Sequence, residues 1–344
     1  MNNKAGLYIH IPFCKNKCPY CDFYSKKYCE SEAAEYCSRL IKQMQDFDGE
    51  FDTVYFGGGT PSIIPEELIG DILSCAKVHF DIDKNSEITI ECNPSKDLKE
   101  SFKKFASYGI NRVSIGMQSA VDKERFALGR SAGKAQVEKA IKDAKNTGIE
   151  NISLDLMLAT PKQTLASLDE TFDFIDKMQV KHISAYMLKI EEGTKFSEMQ
   201  NRLDLPDEDT VSEMYFKTIR VLNQLGFAQY EISNFAKTGF ESRHNLKYWQ
   251  LDEYLGIGAS AHSFRKGKRF YTDTDFAIIP DGAGGTREEQ IMLGLRLNKG
   301  INKKLINKNY QQFIDMGYIA ENGENIALTP KGMLVSNSII AELL

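Results

Sequence analysis

The chain has 344 residues, 42% hydrophobic and 26% charged, with a formal net charge of −5 at pH 7. That length suits one large domain plus a smaller one, and the composition is that of an ordinary globular protein. No run of about 18 apolar residues occurs, so no membrane span is indicated, and the acidic balance argues against a surface dominated by phosphate binding.

The polar start, residues 1–6, gives no sign of a signal peptide. The expected location is therefore the cytoplasm, with the seven cysteines reduced rather than paired. A short apolar strand is expected over Leu7–Ile11. It runs into Pro12 and then into Cys14, Cys18 and Cys21, spaced C-x3-C-x2-C. Such a loop suits one cubane [4Fe–4S] cluster, because each thiolate reaches a different iron. Three local thiolates leave the fourth iron open to another ligand, much as a catalytic zinc keeps one position open. A structural zinc site fits less well, since no fourth Cys or His follows nearby. Cys29, Cys37, Cys75 and Cys92 lack ligand spacing and read as buried small apolar residues.

Five more strand-like runs follow, at Thr53–Phe56, Glu87–Glu91, Arg112–Gly116, Asn151–Leu156 and His182–Leu188. Between them lie segments of helical periodicity: Ala33–Met44, Glu66–Val78, Leu98–Ser107, Val137–Thr147 and Leu165–Met178. Alternation of this kind predicts an α/β fold with a parallel sheet and right-handed crossovers. Gly109 and Gly148 sit where helix ends favour positive φ. The strand ends carry polar groups or glycine turns: Gly57-Gly58-Gly59-Thr60-Pro61, then Glu91, Gln118 and Asp155. In a β/α barrel these ends form one opening, beside the cysteine loop. Three consecutive glycines let backbone N–H groups approach a ligand directly.

The cysteine spacing after a strand resembles the signature of radical S-adenosylmethionine (SAM) proteins. The resemblance implies a partial (β/α)6 TIM-like barrel, and a cluster whose open iron binds the amino and carboxylate groups of SAM. It also implies SAM contacts from Tyr8, Tyr20, Gly58, Gly59, Thr60, Glu91, Gln118, Arg130 and Asp155. Two departures from the family pattern stand out: Ala132 where a histidine is frequent, and Leu158-Ala159-Thr160-Pro161 where the turn is usually glycine-rich.

Further on come Gln229-Tyr-Glu-Ile-Ser-Asn-Phe235, then His244-Asn245-Leu-Lys-Tyr248-Trp249, then Tyr254-Leu-Gly-Ile-Gly-Ala-Ser-Ala-His262. Together these resemble the oxygen-independent coproporphyrinogen III oxidase-like group, in its HemW-type haem-chaperone branch. The oxidases carry a further cysteine two positions after the third, where this chain has Phe23, and a long N-terminal arm, where 13 residues precede Cys14. The resemblance implies haem binding by the H-N-x-x-Y-W motif, with His244 as iron ligand and Asn245, Tyr248 and Trp249 around the porphyrin. Imidazole is a suitable axial ligand, but a histidine beside two aromatics is equally a hydrogen-bonded core residue. His262 and His10 read as structural neighbours of the opening and of the cysteine loop.

The expected organisation is a core barrel over 1–230, a connecting segment over 231–280 and a winged-helix-like C-terminal domain over 285–344. Pro280–Gly285 reads as a linker. Helices are expected over Glu288–Arg296 and Lys304–Met316, then a hairpin turning at Asn322-Gly323, then a helix from Pro330 to Leu344. With modest basic content, that module reads as a packing or lid element rather than a DNA reader. The implied function is a haem carrier that uses the cluster and SAM to serve acceptor haemoproteins, with no catalytic residue assigned. The rival is oxidative decarboxylation of coproporphyrinogen III. An electron donor such as a flavodoxin or an NADH-linked reductase is implied as a partner; homodimerisation and peripheral membrane association stay open.

Overall fold

Six apolar runs form the strands that the sequence predicts: β1 (Ala5–Ile11), β2 (Glu50–Gly58), β3 (Asp81–Cys92), β4 (Arg112–Gln118), β5 (Asn151–Leu158) and β6 (His182–Met187). They were located in a computed structural model that describes residues 4–344; Met1–Asn3, part of the polar start, lie outside the described residues. Helices join the strands at Glu30–Met44, Glu66–His79, Lys99–Tyr108, Lys134–Asn146 and Leu165–Met178. Each presents an apolar stripe at helical spacing. The first buries Ala33, Tyr36, Cys37, Leu40 and Met44. Gly109 closes the third at φ +97°, the left-handed cap its position suggests.

All six strands pair in parallel in chain order, with Tyr8 opposite Tyr55, Val54 opposite Ile88, and Asp155 between Gly116 and Ser184. Their C-terminal ends therefore share one rim. Beyond β6 the short β7 (Asn234–Ala236) adds antiparallel.

The parallel set has seven strands rather than six. β8 (Tyr254–Ile257) lies parallel to β1 on its free side. The glycine-rich run there permits close approach: a Cβ on Gly256 would lie 2.2 Å from the carbonyl oxygen of His262. Strands at His262–Arg265, Lys268–Thr272 and Ile278–Ala283 then extend the sheet antiparallel. Pro280–Gly285 is thus largely an edge strand and not a linker. Pro280 is tolerated because an edge strand leaves one side of its ladder unpaired. Residues 231–280 are woven into the main sheet.

Within that segment, the helix Arg243–Gln250 packs against β1 and β2. Ser242 caps it, and the Glu87 carboxylate accepts the backbone N–H of Arg243 at 3.2 Å and of His244 at 3.1 Å. A carboxylate is well placed at a helix N-terminus. Lys247 pairs with Asp52 at 2.8 Å. Gly6 leaves room for this helix, since a Cβ there would lie 2.9 Å from Lys247 Cδ.

The C-terminal part has its own apolar cluster, including Ile291, Leu295, Ile301, Ile326 and Ile340, joined by Tyr215 from the helix Glu208–Gln224. Its helix Arg287–Gly294 and a three-stranded antiparallel sheet, including the hairpin around Gly323, match the winged-helix-like expectation. Residues 304–316 depart from it. Only Gln311–Asp315 is α-helical, because Asn309 Oδ1 accepts the Gln311 N–H and starts the helix late. The last helix is split into Pro330–Leu334 and Ser336–Leu343. Among the described residues no helix is long and apolar enough to cross a membrane.

Candidate functional site

The rim of the parallel strands surrounds a cavity of about 590 Å³. The Cys14, Cys18 and Cys21 side chains all line it. Their loop is closed by backbone bonds. Lys26 N–H reaches Pro12 O at 2.6 Å, Tyr28 N–H reaches Cys14 O at 2.9 Å, and Cys21 N–H reaches Cys18 O at 3.1 Å. The glycine turn after β2 is fastened to the same loop. Gly59 N–H meets Ile11 O at 2.9 Å, Thr60 N–H meets Phe13 O at 2.8 Å, and Thr60 Oγ1 lies 3.6 Å from Cys14 Sγ.

Gly59 is needed for that fastening: a Cβ there would lie 2.7 Å from Phe13 O and 2.9 Å from Phe13 N, both backbone atoms. Gly59→Ala is expected to separate the turn from the cysteine loop. Iron content and SAM binding should fall together, with the SAM Kd rising at least about tenfold by equilibrium dialysis; retention of both would show that the turn yields without consequence.

Among the described residues no three His, Cys, Asp or Glu side chains gather closely enough to hold a single metal ion. The three cysteines line one cavity from one short loop. That arrangement fits a cubane, whose ligands each reach a different iron.

Every proposed SAM contact except Tyr8 lines this cavity: Tyr20, Gly58, Gly59, Thr60, Glu91, Gln118, Arg130 and Asp155. Glu91 accepts Tyr55 OH at 2.8 Å and Gly58 N–H at 3.3 Å. Burial, then the nearby Asp155 charge, push its carboxyl up to about 7. Burial likewise raises Asp155, which accepts Ser114 Oγ–H at 2.8 Å. Arg130 donates to Tyr20 OH at 2.8 Å. The Nε atoms of Arg112 and Arg130 are buried without partners. The cavity thus offers two acid groups suited to hydroxyls and two cations with unused donors suited to a carboxylate.

Tyr8 does not reach the opening. Its hydroxyl meets His10 Nδ1 at 3.0 Å, and its ring stacks on Tyr55 at 6.2 Å. Tyr8 is the register partner of Tyr55 and shares its face of the sheet, packed among aromatics beside it. Residues not anticipated also line the cavity, notably Tyr55, Arg112, Ser114 and Ser184. The signal was present in β4, where Arg112, Ser114, Gly116 and Gln118 occupy alternate positions, with apolar residues between.

His10 lies under the glycine turn. Its Nε2 lies 3.3 Å from Tyr24 O, a carbonyl that only accepts, so Nε2 carries the proton and Nδ1 accepts Tyr8 OH. Burial lowers its pKa to about 4. A base depressed in the folded state stabilises fully above its unfolded value, near 6.5, and loses that contribution as pH falls toward 4. The stability difference between the intact chain and His10→Gln should therefore shrink by about 1.4 kcal/mol per pH unit in that window, read from urea unfolding; a constant difference would contradict a neutral buried imidazole. His262 is exposed and pairs with the Tyr271 ring.

The H-N-x-x-Y-W residues divide. Asn245 lines both the rim cavity and a second one, of about 490 Å³, which Tyr248 and Trp249 line as well. Tyr186 also borders both. His244 lines neither. It is 0% exposed, with Nδ1 2.8 Å from Thr53 Oγ1 and Nε2 2.7 Å from Tyr248 OH. The Tyr55 ring stacks on it at 5.1 Å. Burial holds its pKa down to about 3. The expectation that His244 offers a free nitrogen to iron is not met in this conformation, because both ring nitrogens are engaged. Of the remaining cysteines, Cys37 and Cys92 are buried and Cys75 is half-buried. Cys29 is exposed beside Ser31, since it immediately precedes a helix on the surface.

A parallel-stranded sheet whose rim carries a three-cysteine loop, a clamped glycine turn and buried acids defines the class of radical SAM proteins. The Radical SAM superfamily model matches residues 8–175, and the HemN C-terminal domain model matches residues 286–335. The heme chaperone HemW of Lactococcus lactis subsp. lactis is 31% identical, over 98% of this chain and 97% of its own length. That of Bacillus subtilis is 32% identical, over 98% and 99%. The chain therefore belongs to the HemW family within the radical SAM superfamily. The coproporphyrinogen III oxidase HemN of Escherichia coli, a radical SAM enzyme, shares the fold: TM-score 0.81 at 20% identity, covering 99% of this chain and 90% of that one. Membership of the superfamily implies a [4Fe–4S] cluster and SAM.

Proposed function

We propose that this chain is a cytoplasmic haem carrier that binds haem and passes it to acceptor haemoproteins, and that it does not oxidise coproporphyrinogen. The observation that carries this reading is the second cavity. It is walled by the motif residues Tyr248 and Trp249 and adjoins the rim cavity through Asn245 and Tyr186. Its size suits a small-molecule ligand. The family relatives named as heme chaperones support the same reading.

In this reading Cys14, Cys18 and Cys21 hold the cluster and leave one iron for SAM. Bound together, the cluster and SAM supply one-electron chemistry. Glu91 and Asp155 accept the ribose hydroxyls, as acidic residues do in nucleotide sites. Arg130 and Gln118 would hold the carboxylate end, while Gly58, Gly59 and Thr60, whose N–H groups are bound to Glu91, Ile11 and Phe13, would shape the wall beside it. Tyr8 acts through Tyr55 and the Glu91 hydrogen bond. Haem lies against Trp249 and Tyr248, with Asn245 at the boundary to the SAM cavity. His244 positions Tyr248 and ligates iron only if that hydrogen bond is given up. Reduction of the cluster calls for an external donor, a flavodoxin or an NADH-linked reductase.

The test is a pair of anaerobic reactions on cluster-loaded protein. Haem-loaded protein mixed with apomyoglobin should yield holo-myoglobin, while coproporphyrinogen III with SAM and reductant should release no CO2. CO2 release without haem transfer would reverse the assignment and make the chain a decarboxylating enzyme.

A further inference from the structure

Arg296 follows the helix Arg287–Gly294 in the C-terminal part, yet its guanidinium lies over the indole of Trp249, with Cζ 5.5 Å from the ring centroid. It borders the second cavity. Arg243, Arg265, Arg269 and Arg287 all meet a carboxylate. Arg296 makes no ion pair among the described residues. Nη2 donates to Asn337 Oδ1 at 3.1 Å, and Nε is buried with no partner.

Glu231, the acid whose charge acts on Arg296, makes no ion pair with it. Glu231 is 0% exposed, and its carboxylate is taken up by Ser233 N–H at 3.0 Å and by the Asn234 side-chain amide. Burial pushes Glu231 up to about 7 and lowers Arg296 below the usual guanidinium value. Asn234 also borders the cavity, and its Oδ1 is buried without a partner. A half-buried cation with unused donors costs desolvation unless an anion arrives.

The geometry specifies that anion. A guanidinium held on an indole face keeps its donor fork in a fixed plane. Such a fork suits a carboxylate, and the indole beside it suits a flat conjugated ring. The ligand class is a planar macrocycle or aromatic bearing a carboxylate arm. Resting on the haem-carrier reading, we propose that Arg296 receives a propionate of haem lying against Trp249. Haem binding would then bridge the barrel, through Trp249, and the C-terminal module, through Arg296 and Asn337. That gives the module a part in the haem site beyond packing.

Trp249 is the chain's single tryptophan, so its fluorescence reports on this cavity directly. The full chain is titrated anaerobically with haem and with haem dimethyl ester, which lacks the free carboxylates, following Trp249 quenching and Soret absorbance together. Haem should bind about tenfold more tightly than the ester. Arg296→Gln should remove that preference by weakening haem about tenfold and leaving the ester unchanged, and Arg296→Lys should restore part of it. Equal weakening of both ligands would mean that Arg296 only supports the fold, and no weakening would mean it has no part; either overturns the proposal. A saturable Soret change without Trp249 quenching would place haem elsewhere, overturning this site and leaving the carrier reading intact. Absence of any saturable haem binding would overturn both.

Discussion

Cys18→Ala is expected to leave the reconstituted chain with less than one iron where the intact protein holds about four. The three thiols stand on one short loop, fixed by the Cys21–Cys18 backbone bond and by the clamp to Gly59 and Thr60. Removing one leaves two loop thiolates for a four-iron cluster. Of the other thiols, Cys29 is exposed, Cys75 half-buried and Cys37 buried in the core, while Cys92 borders the same cavity but is held as a thiol by its burial, which opposes the thiolate a cluster needs. Cys29→Ala should therefore keep its full iron and visible absorbance. Iron and sulfide analysis after anaerobic reconstitution checks both variants. Full iron in Cys18→Ala, or one zinc per chain in the intact protein, would contradict a three-thiolate cluster site.

His244→Ala should cost about 3–4 kcal/mol of stability. The imidazole is fully buried, and its loss leaves a cavity beneath Tyr55 and strips a partner from both Thr53 and Tyr248. It also loosens the helix that carries Asn245 and Trp249. Because no ring nitrogen is free for iron, the folded fraction should bind haem within about threefold of the intact protein, with an unshifted Soret maximum. Urea unfolding and haem titration on the same preparation separate the two effects. A stable variant with a displaced Soret band would instead make His244 the iron ligand, reached by giving up the Tyr248 bond.

The barrel was legible because its strands are short apolar runs separated by amphipathic helices, and parallel pairing follows from that alternation. The rim was legible for a related reason: glycines and acids at strand ends stand out against Ile and Val. β8 was not, because Tyr254–Ile257 carries two polar or glycine positions among four residues and follows a helix of only eight. Its pairing with β1 is set by a long-range return of the chain. Tyr8 is the one proposed SAM contact that does not line the cavity. It shares a face with Tyr55, which does line the cavity, and its hydroxyl is engaged by His10 instead. His244 shows where a motif misleads. The spacing from His244 to Trp249 places all four residues on one short helix, yet only the packing against β1 and β2 decides that His244 faces Thr53 while Trp249 faces the second cavity. Arg296 lies 47 residues beyond Trp249 in an otherwise apolar stretch, and nothing local connects the two.

The most direct test of the carrier is an anaerobic haem titration of the cluster-loaded chain, followed by Soret absorbance. The account predicts saturation at one haem per chain, weakened in Trp249→Ala. Unsaturable uptake, equal in both proteins, would mean that haem only adheres to apolar surface, and the haem cavity would have to be abandoned.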